Sequence, residues 1–185
     1  MRKIWDKKKN DAEAQKSQPR ESPAKIRLQK DLGELETYDD TEIVTSPQNI
    51  MEFTVIYRPQ EGYYKRGEFK FQFSVNQNYP HDAPKVRCLQ TIFHPNIDTE
   101  GHICLNILRE DWKPVLNIQA VLFGLRLLFQ VPNPDDPLNK EAARMLVENE
   151  PEFARTVTSS MRGRMIGSVE YDHVLVEPER YGHRY

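Results

Sequence analysis

The stretch Phe69-Lys70-Phe71-Gln72-Phe73-Ser74-Val75 alternates apolar and polar residues along its whole length. The stretch Met51-Glu52-Phe53-Thr54-Val55-Ile56-Tyr57 also has an apolar residue at every second position. Because successive side chains of a β-strand point to opposite faces, both stretches predict strands with one buried face. Between about residues 40 and 90, turn-prone segments too short for parallel crossovers separate such strands. The sequence therefore predicts an antiparallel meander.

Helical patterns lie on both sides of this meander. Ser22-Pro23 offers an N-cap followed by proline at the first helical position, and three leucines follow at helical spacing: Leu28, Leu32 and Leu35. Asn117 is a suitable N-cap for the apolar run Ile118 to Phe129, which predicts a helix buried at the centre of the core.

Two more helices are expected near the C-terminus. Asp136-Pro137 offers a cap and a proline start for a helix that continues to about Glu148, and a last helix is expected from about Pro151 to Met161. One helix, then strands, then helices indicates an α+β fold with segregated layers.

The length of 185 residues fits one core with tails. Residues 1–21 are polar and lysine-rich, which predicts a flexible basic extension, while 22–170 form the core domain and 171–185 a tail. Residues 1–30 carry a net charge of +6 and the rest of the chain −8. The extension therefore fits either an acidic protein partner or a solvated tail. Nucleic acid is not expected, because no aromatic residues are interleaved with the basic ones.

No stretch approaches the roughly 18 apolar residues of a membrane helix, and no signal peptide begins the chain, so a protein inside the cell is expected. Its two cysteines, Cys88 and Cys104, are then expected to be free thiols. Cys88 follows Val86 at a spacing of two on a strand, which predicts a buried side chain.

Residues 93–116 follow neither period clearly, and loops of this length in a compact domain are usually functional. Within them His94-Pro95-Asn96 precedes Cys104 by eight residues, and Trp112 follows after eight more. If the segment around Cys104 is extended, its apolar neighbours face the core and the thiol points outward, where it can meet a substrate. These neighbours are Ile103, Leu105 and Ile107.

The triplet 94–96, the cysteine at this interval and Trp112-Lys113-Pro114 resemble the active-site signature of the ubiquitin-conjugating (UBC) enzymes. Four stretches resemble the branch of this family that serves neddylation: residues 79–82, 104–116, 132–142 and 160–163. The resemblance implies the UBC fold, with an N-terminal helix, a four-stranded antiparallel meander, an active-site loop and C-terminal helices. It also implies an enzyme that accepts a ubiquitin-like modifier as a thioester on Cys104 and passes it to substrate lysines.

The resemblance implies three catalytic residues: Cys104, Asn96 and Asp136. Asn96 either donates to the oxyanion or braces the loop, and Asp136 either assists the incoming lysine or caps a helix. The expected supports of the active-site loop are His94, Pro95 and Trp112. Asp98 departs from the aromatic residue that some members place beside the lysine. No metal and no cofactor are expected.

Partners also follow from the resemblance. It implies docking on a heterodimeric activating enzyme through Ile4, Trp5, Lys25, Arg27 and Lys30. It implies binding of a RING-type ligase through His81, Pro114 and Val115. Cullins are the implied substrates, a monomer is expected, and the implied location is the cytoplasm and nucleus.

The sequence leaves four other hypotheses about function open. The modifier could be ubiquitin itself, or the chain could be a UBC-fold binding module without catalysis, although such modules lack the cysteine. A zinc site would use Cys88, His94, His102 and Cys104, at a spacing that no usual structural site has. A cysteine hydrolase would pair Cys104 with His94 or His102.

Overall fold

A computed structural model describes residues 21–36 and 38–176 of the chain. The predictions on Ile4 and Trp5 and on most of both termini lie outside these residues. The helices are α1 (Pro23–Gly33), α2 (Ile118–Gln130), α3 (Lys140–Glu148) and α4 (Glu150–Met161), with a 3-10 turn at Asn106–Leu108. The strands are β1 (Thr41–Ser46), β2 (Asn49–Tyr57), β3 (Phe69–Ser74), β4 (Lys85–Cys88), β5 (Met165–Ile166) and β6 (Val169–Glu170).

Strands β1 to β4 form one antiparallel sheet in sequence order, which confirms the predicted four-stranded meander. The alternating residues of β2 and β3 lie opposite one another, as Phe53 does to Phe73 and Tyr57 to Phe69. Their shared face is buried, and Phe129 of α2 packs its ring against Tyr57 and Phe69. The core therefore lies between the sheet and α2.

Two of the three predicted N-caps are confirmed. The Ser22 hydroxyl accepts a hydrogen bond from the Lys25 amide at 3.2 Å, and the Asn117 side chain accepts one from Ala120 at 3.0 Å. Helix α2 buries one side of the apolar run predicted for the centre of the core, whereas Phe123 and Leu127 are exposed. No helix within the described residues is long and apolar enough to cross a membrane.

The predicted helix start at Asp136-Pro137 is wrong. Helix α3 begins at Lys140, and its N-cap is Asn139, whose side chain accepts a hydrogen bond from Ala142 at 3.0 Å. The preceding residues are held elsewhere, because the Pro95 carbonyl accepts hydrogen bonds from the Leu138 and Asn139 amides at 2.9 Å each. Asp136 therefore lies in a loop that is tied to the active-site segment.

The packed structure also extends past the boundary predicted at residue 170. Tyr171 and Val174 are buried, and the Val174 carbonyl accepts a hydrogen bond from the Glu68 amide at 2.8 Å. The Val176 amide donates to the Arg66 carbonyl at 2.8 Å. We call residues 171–176 the C-terminal strap, and it belongs to the core rather than to a tail.

Candidate active site

His94 anchors the loop that leads to Cys104. Its Nδ1 accepts a hydrogen bond from the Asn96 amide at 2.9 Å, so Nε2 carries the proton and donates to the Leu128 carbonyl at 3.1 Å. The ring stacks on Tyr64 at 4.9 Å, and its complete burial lowers the pKa of His94 to about 3. His94 is therefore neutral and holds the loop in place.

Asn96 joins this loop to the segment that precedes α3. Its Nδ2 donates to the Asn133 carbonyl at 2.7 Å and to the Asp136 carbonyl at 3.4 Å, while its Oδ1 accepts from the Asn133 amide at 2.9 Å. Its own carbonyl accepts a hydrogen bond from the Cys104 amide at 2.9 Å. One buried residue, through its backbone and its side chain, thus links Cys104 to the segment that contains Asp136.

The Cys104 thiol lies between a carboxylate and a guanidinium. Its Sγ donates to Asp136 Oδ2 at 2.9 Å, and Arg109 Nη1 lies 3.8 Å from the same sulfur. Arg109 is held there by a second bond, from Nη2 to the Ile103 carbonyl at 3.4 Å. The carboxylate therefore favours the protonated thiol, whereas the guanidinium favours its negative charge.

The prediction that this thiol points freely outward is wrong, because Cys104 is only 7% exposed. The segment is not a regular strand. Ile103 forms a single isolated bridge with Ile97, and the 3-10 turn begins at Asn106. Since the alternation rule holds only in an extended strand, it does not apply here.

The two thiols of the chain have different surroundings. Burial is the main cause that raises the pKa of Cys104, followed by its hydrogen bond to Asp136, and the charge of Arg109 opposes both. Cys88 lies inside the sheet, where burial raises its pKa to about 12 and its Sγ contacts the Gln90 carbonyl at 3.3 Å. Cys88 is buried as predicted, and the Cys104 sulfur lies beside both a carboxylate and a guanidinium.

Residues 27–161 match the family described as ubiquitin-conjugating enzyme. The chain belongs to this family. It is 48% identical over 178 residues to the NEDD8-conjugating enzyme ubc12 of Schizosaccharomyces pombe, covering 95% of this chain and 99% of that protein. It is 49% identical over 179 residues to the NEDD8-conjugating enzyme UBC12 of Yarrowia lipolytica, covering 96% of this chain and 100% of that protein.

A solved structure of Saccharomyces cerevisiae Ubc12 matches this conjugating enzyme with a TM-score of 0.82 at 45% identity. The match covers 95% of this chain and 98% of that one. The predicted UBC fold, the family and the branch that four sequence stretches indicated are thereby confirmed. The protein is an enzyme of ubiquitin-like protein conjugation and a transferase.

Neither histidine near Cys104 serves this conjugating enzyme as a base for the thiol. Both nitrogens of His94 have other partners. His102 is on the surface, where its Nδ1 contacts Asp98 at 2.8 Å, and Asp98 also accepts hydrogen bonds from the Glu100 and His102 amides. The geometry therefore gives no support to a cysteine hydrolase. Within the described ranges no group of three or more His, Cys, Asp or Glu side chains could hold a metal ion.

Arg109 is the residue of this site that sequence reasoning missed. It lies only five residues after Cys104, but the intervening 3-10 turn folds it back onto the sulfur. The only signal in the sequence was a basic residue shortly after the cysteine.

The residues predicted to bind a ligase lie on two loops of the conjugating enzyme that contact each other. Trp112 joins two loops, because its Nε1 donates to the Pro80 carbonyl at 2.8 Å. Val115 is 82% exposed, and His81 and Pro114 are exposed beside it in the joined loops. These exposed side chains are free to meet a partner.

The basic residues of α1 differ in how firmly their side chains are bonded to the rest of the domain. Arg27 donates to the carbonyls of Pro114 at 3.2 Å and Leu116 at 2.8 Å, and its Nε bonds to Asp31 at 2.8 Å. Lys25 pairs with Glu21 at 2.6 Å, while Lys30 lies 3.9 Å from Glu34 and is exposed. Arg27 therefore holds α1 against the loop after Trp112, and its docking role stays a prediction.

Proposed function

We propose that this enzyme receives NEDD8 from its activating enzyme as a thioester on Cys104 and transfers it to lysine side chains. The observation that carries this proposal is the Cys104 thiol, held 2.9 Å from the Asp136 carboxylate beside Arg109. The relatives named NEDD8-conjugating enzymes, which match over almost their whole length, support NEDD8 as the modifier.

Loading is a thioester exchange. The Cys104 thiolate attacks the carbonyl carbon of the NEDD8 thioester on the activating enzyme, a new carbon–sulfur bond forms, and the old one breaks as the other thiolate leaves. The guanidinium of Arg109 stabilises the attacking thiolate, and the thiol proton leaves to solvent. No metal and no separate nucleophile are needed for this step.

Transfer to lysine is the harder step, because a lysine with a pKa of about 10.4 is mostly protonated at neutral pH. Once Cys104 is acylated, its sulfur has no proton to donate, and the Asp136 carboxylate is free to accept a hydrogen bond from the ammonium. As the amine loses its proton there, its nitrogen attacks the carbonyl carbon and the carbon–nitrogen bond forms. The nitrogen then releases its second proton to solvent, the carbon–sulfur bond breaks, and Cys104 leaves as a thiolate.

Asn96 has two roles in this proposal that differ in their support. Its amide protons point to the carbonyls of Asn133 and Asp136, which supports a bracing role. Donation to the oxyanion would require the longer of these bonds, the one of 3.4 Å to Asp136, to be exchanged during the reaction.

The partners form the finer part of the proposal. A heterodimeric activating enzyme docks on the basic leader through Ile4 and Trp5 and on the exposed lysines of α1, and a RING-type ligase binds His81, Pro114 and Val115. The exposure of Val115 supports the ligase face. Cullins are the proposed acceptors, and the enzyme acts as a monomer in the cytoplasm and nucleus.

The test is formation of a reducible adduct when the protein is incubated with ATP, NEDD8 and the NEDD8-activating enzyme, resolved on non-reducing gels. Wild type and Cys88→Ala are expected to form the adduct, and Cys104→Ala to form none. The proposal fails if no adduct forms, or if the ubiquitin-activating enzyme charges the protein with ubiquitin equally fast. Ile4→Ala with Trp5→Ala is expected to slow charging, and an unchanged rate would remove the leader from the docking site.

A further inference from the structure

A groove of about 970 Å³ lies between β4 and the segment that runs from His102 to Trp112. The apolar part of its lining consists mainly of Val86, Leu89, Ile103, Leu108 and Trp112. Leu89 is 52% exposed, so a large aliphatic side chain is open to water in this groove. A partner that covers it gains from apolar burial.

Basic side chains line the same groove. Lys85 and Arg87 are the exposed residues of β4, and Arg109 approaches the groove from the active site. Across residues 21–36 and 38–176, no carboxylate lies within 4.0 Å of these three side chains, whereas Lys25 and Arg27 of α1 are paired. The positive charges of these three side chains are therefore not neutralised by a carboxylate of the described residues.

Few acidic side chains line the groove beside these three basic residues. Among the described residues that line the groove Asp82 is the one acidic residue, and its carboxylate accepts hydrogen bonds from the side-chain amides of Asn76 at 2.8 Å and Asn78 at 3.2 Å. Beyond residue 30 the chain has a net charge of −8. The groove is thus a basic site on an acidic domain, and complementary charges steer association and fix register.

The groove is continuous with the reacting atoms. Arg109 lines it and also lies 3.8 Å from the Cys104 sulfur, and Ile103 lines it directly before Cys104 in the chain. A peptide that contacts Arg109 in the groove therefore lies near the Cys104 sulfur. The leader of this chain is a poor occupant, because residues 1–30 carry a charge of +6.

We propose that this groove binds an acidic segment with apolar side chains from the protein whose lysine receives the modifier. The inference rests on the proposed function, since it assigns the acceptor specificity of the same site. Carboxylates of the acceptor pair with Lys85 and Arg87, and its apolar side chains cover Leu89 and Leu108. The groove thereby selects lysines that lie near acidic, apolar sequence.

The test uses enzyme charged with NEDD8 and synthetic peptides that contain one lysine. One series carries the segment Asp-Leu-Glu-Leu-Asp at separations of two to eight residues from the lysine, and a matched series carries Asn-Leu-Gln-Leu-Asn. At the best separation we expect the acidic peptide to have a KM about tenfold lower with wild type. Lys85→Glu and Lys85→Ala are expected to reduce this preference, whereas Arg155→Glu, an exposed site on α4 outside the groove, keeps it.

Lys85 is preferred to Arg87 for this test, because Arg87 Nε donates to the Glu100 carbonyl at 2.6 Å and its loss would also release that loop. Discharge to free lysine is expected to be the same in all variants. Equal KM values for both peptide series, or an undiminished preference in Lys85→Glu, would overturn the inference. Slower loading of Lys85→Glu would also overturn it, since the groove would then serve the activating enzyme.

Failure of the proposed function can be distinguished from failure of the groove to bind an acidic peptide. If no NEDD8 thioester forms, binding of the fluorescent acidic peptide to the uncharged protein still tests the groove. Weaker binding by Lys85→Glu than by Arg155→Glu supports the groove, and equal binding by the two variants refutes it.

Discussion

The Asp136 carboxylate accepts a hydrogen bond from the Cys104 thiol at 2.9 Å, although 32 residues separate the two in the chain. The contact keeps the thiol protonated before loading and disappears when the sulfur is acylated. A single carboxylate can therefore serve the enzyme before loading and during transfer, with opposite effects on the two steps.

The first prediction concerns Asp136→Ala. Loss of the carboxylate lowers the pKa of Cys104, so the thiolate forms at lower pH and iodoacetamide alkylation at pH 7.5 becomes faster. Transfer to lysine is expected to fall about 100-fold, the lower end of the usual range for a lost acid–base group. Measurement in a Cys88→Ala background leaves one reporting thiol. Slower alkylation, or unchanged transfer, would contradict this role of Asp136.

Arg109→Gln should shift alkylation in the opposite direction. Without the guanidinium the pKa of Cys104 rises further, so alkylation and NEDD8 loading at pH 7.5 both become slower. Lys113→Gln is the matched control, because it removes an exposed positive charge that makes no contact with the sulfur. If both variants slow alkylation equally, the effect of Arg109 is a general one of surface charge.

Stability should depend on His94 at mildly acidic pH. The folded protein keeps this ring neutral down to about pH 3, whereas the unfolded chain binds a proton below about pH 6.5. Stability is therefore full above pH 6.5 and is lost as the pH falls towards 3. From pH 7.5 to 5.5 this residue should lower the free energy of unfolding by about 1.4 kcal/mol, measured by urea denaturation. His94→Gln should remove this part of the pH dependence, and exposed His81→Gln should keep it.

Asn96 should contribute to stability as well as to transfer. Asn96→Ala removes the bonds to both backbone groups of Asn133 and is expected to lower the free energy of unfolding by about 1–3 kcal/mol. Asn133→Ala keeps those backbone groups and bonds, so its loss should be smaller. Equal losses in urea denaturation would show that Asn96 does not brace the loop.

Much of the fold follows from local pattern. The alternation of Phe69, Phe71 and Phe73 was sufficient to predict a strand, because every second side chain of a strand lies on the same face, whatever the strand pairs with. The caps at Ser22 and Asn117 were correct for the same reason: each bonds to an amide three residues away. Such contacts do not depend on the rest of the molecule.

The geometry of the active site was harder to predict from the sequence. The start of α3 was misplaced because the Pro95 carbonyl, more than 40 residues earlier, binds the amides of Leu138 and Asn139. The predicted exposure of the Cys104 thiol was wrong, because Asp136 and Arg109, from the loop before α3 and from the 3-10 turn, contact its sulfur. The family resemblance supplied Asp136 where periodicity could not, and neither supplied Arg109.

Arg27 should matter to stability more than its position on a helix surface indicates. Arg27→Ala removes two bonds to the loop after Trp112 and one to Asp31, so the free energy of unfolding should fall by about 1–3 kcal/mol. Lys25→Ala, which loses only an exposed ion pair, should change it by about 0.5 kcal/mol or less. Thermal or urea unfolding of the two variants gives the comparison, and similar values would rule out a structural role for Arg27.

The C-terminal strap sets a lower limit on how far this enzyme can be shortened. Tyr171 packs edge-on against Phe93 at 5.8 Å, and the Val174 and Leu175 amides bond to the Met161 carbonyl. A chain cut after Met161, where the family match ends, would uncover Phe93 directly before His94. Exposed aromatic surface of this kind promotes self-association. The unit that folds is thus longer than the unit by which the family is recognised.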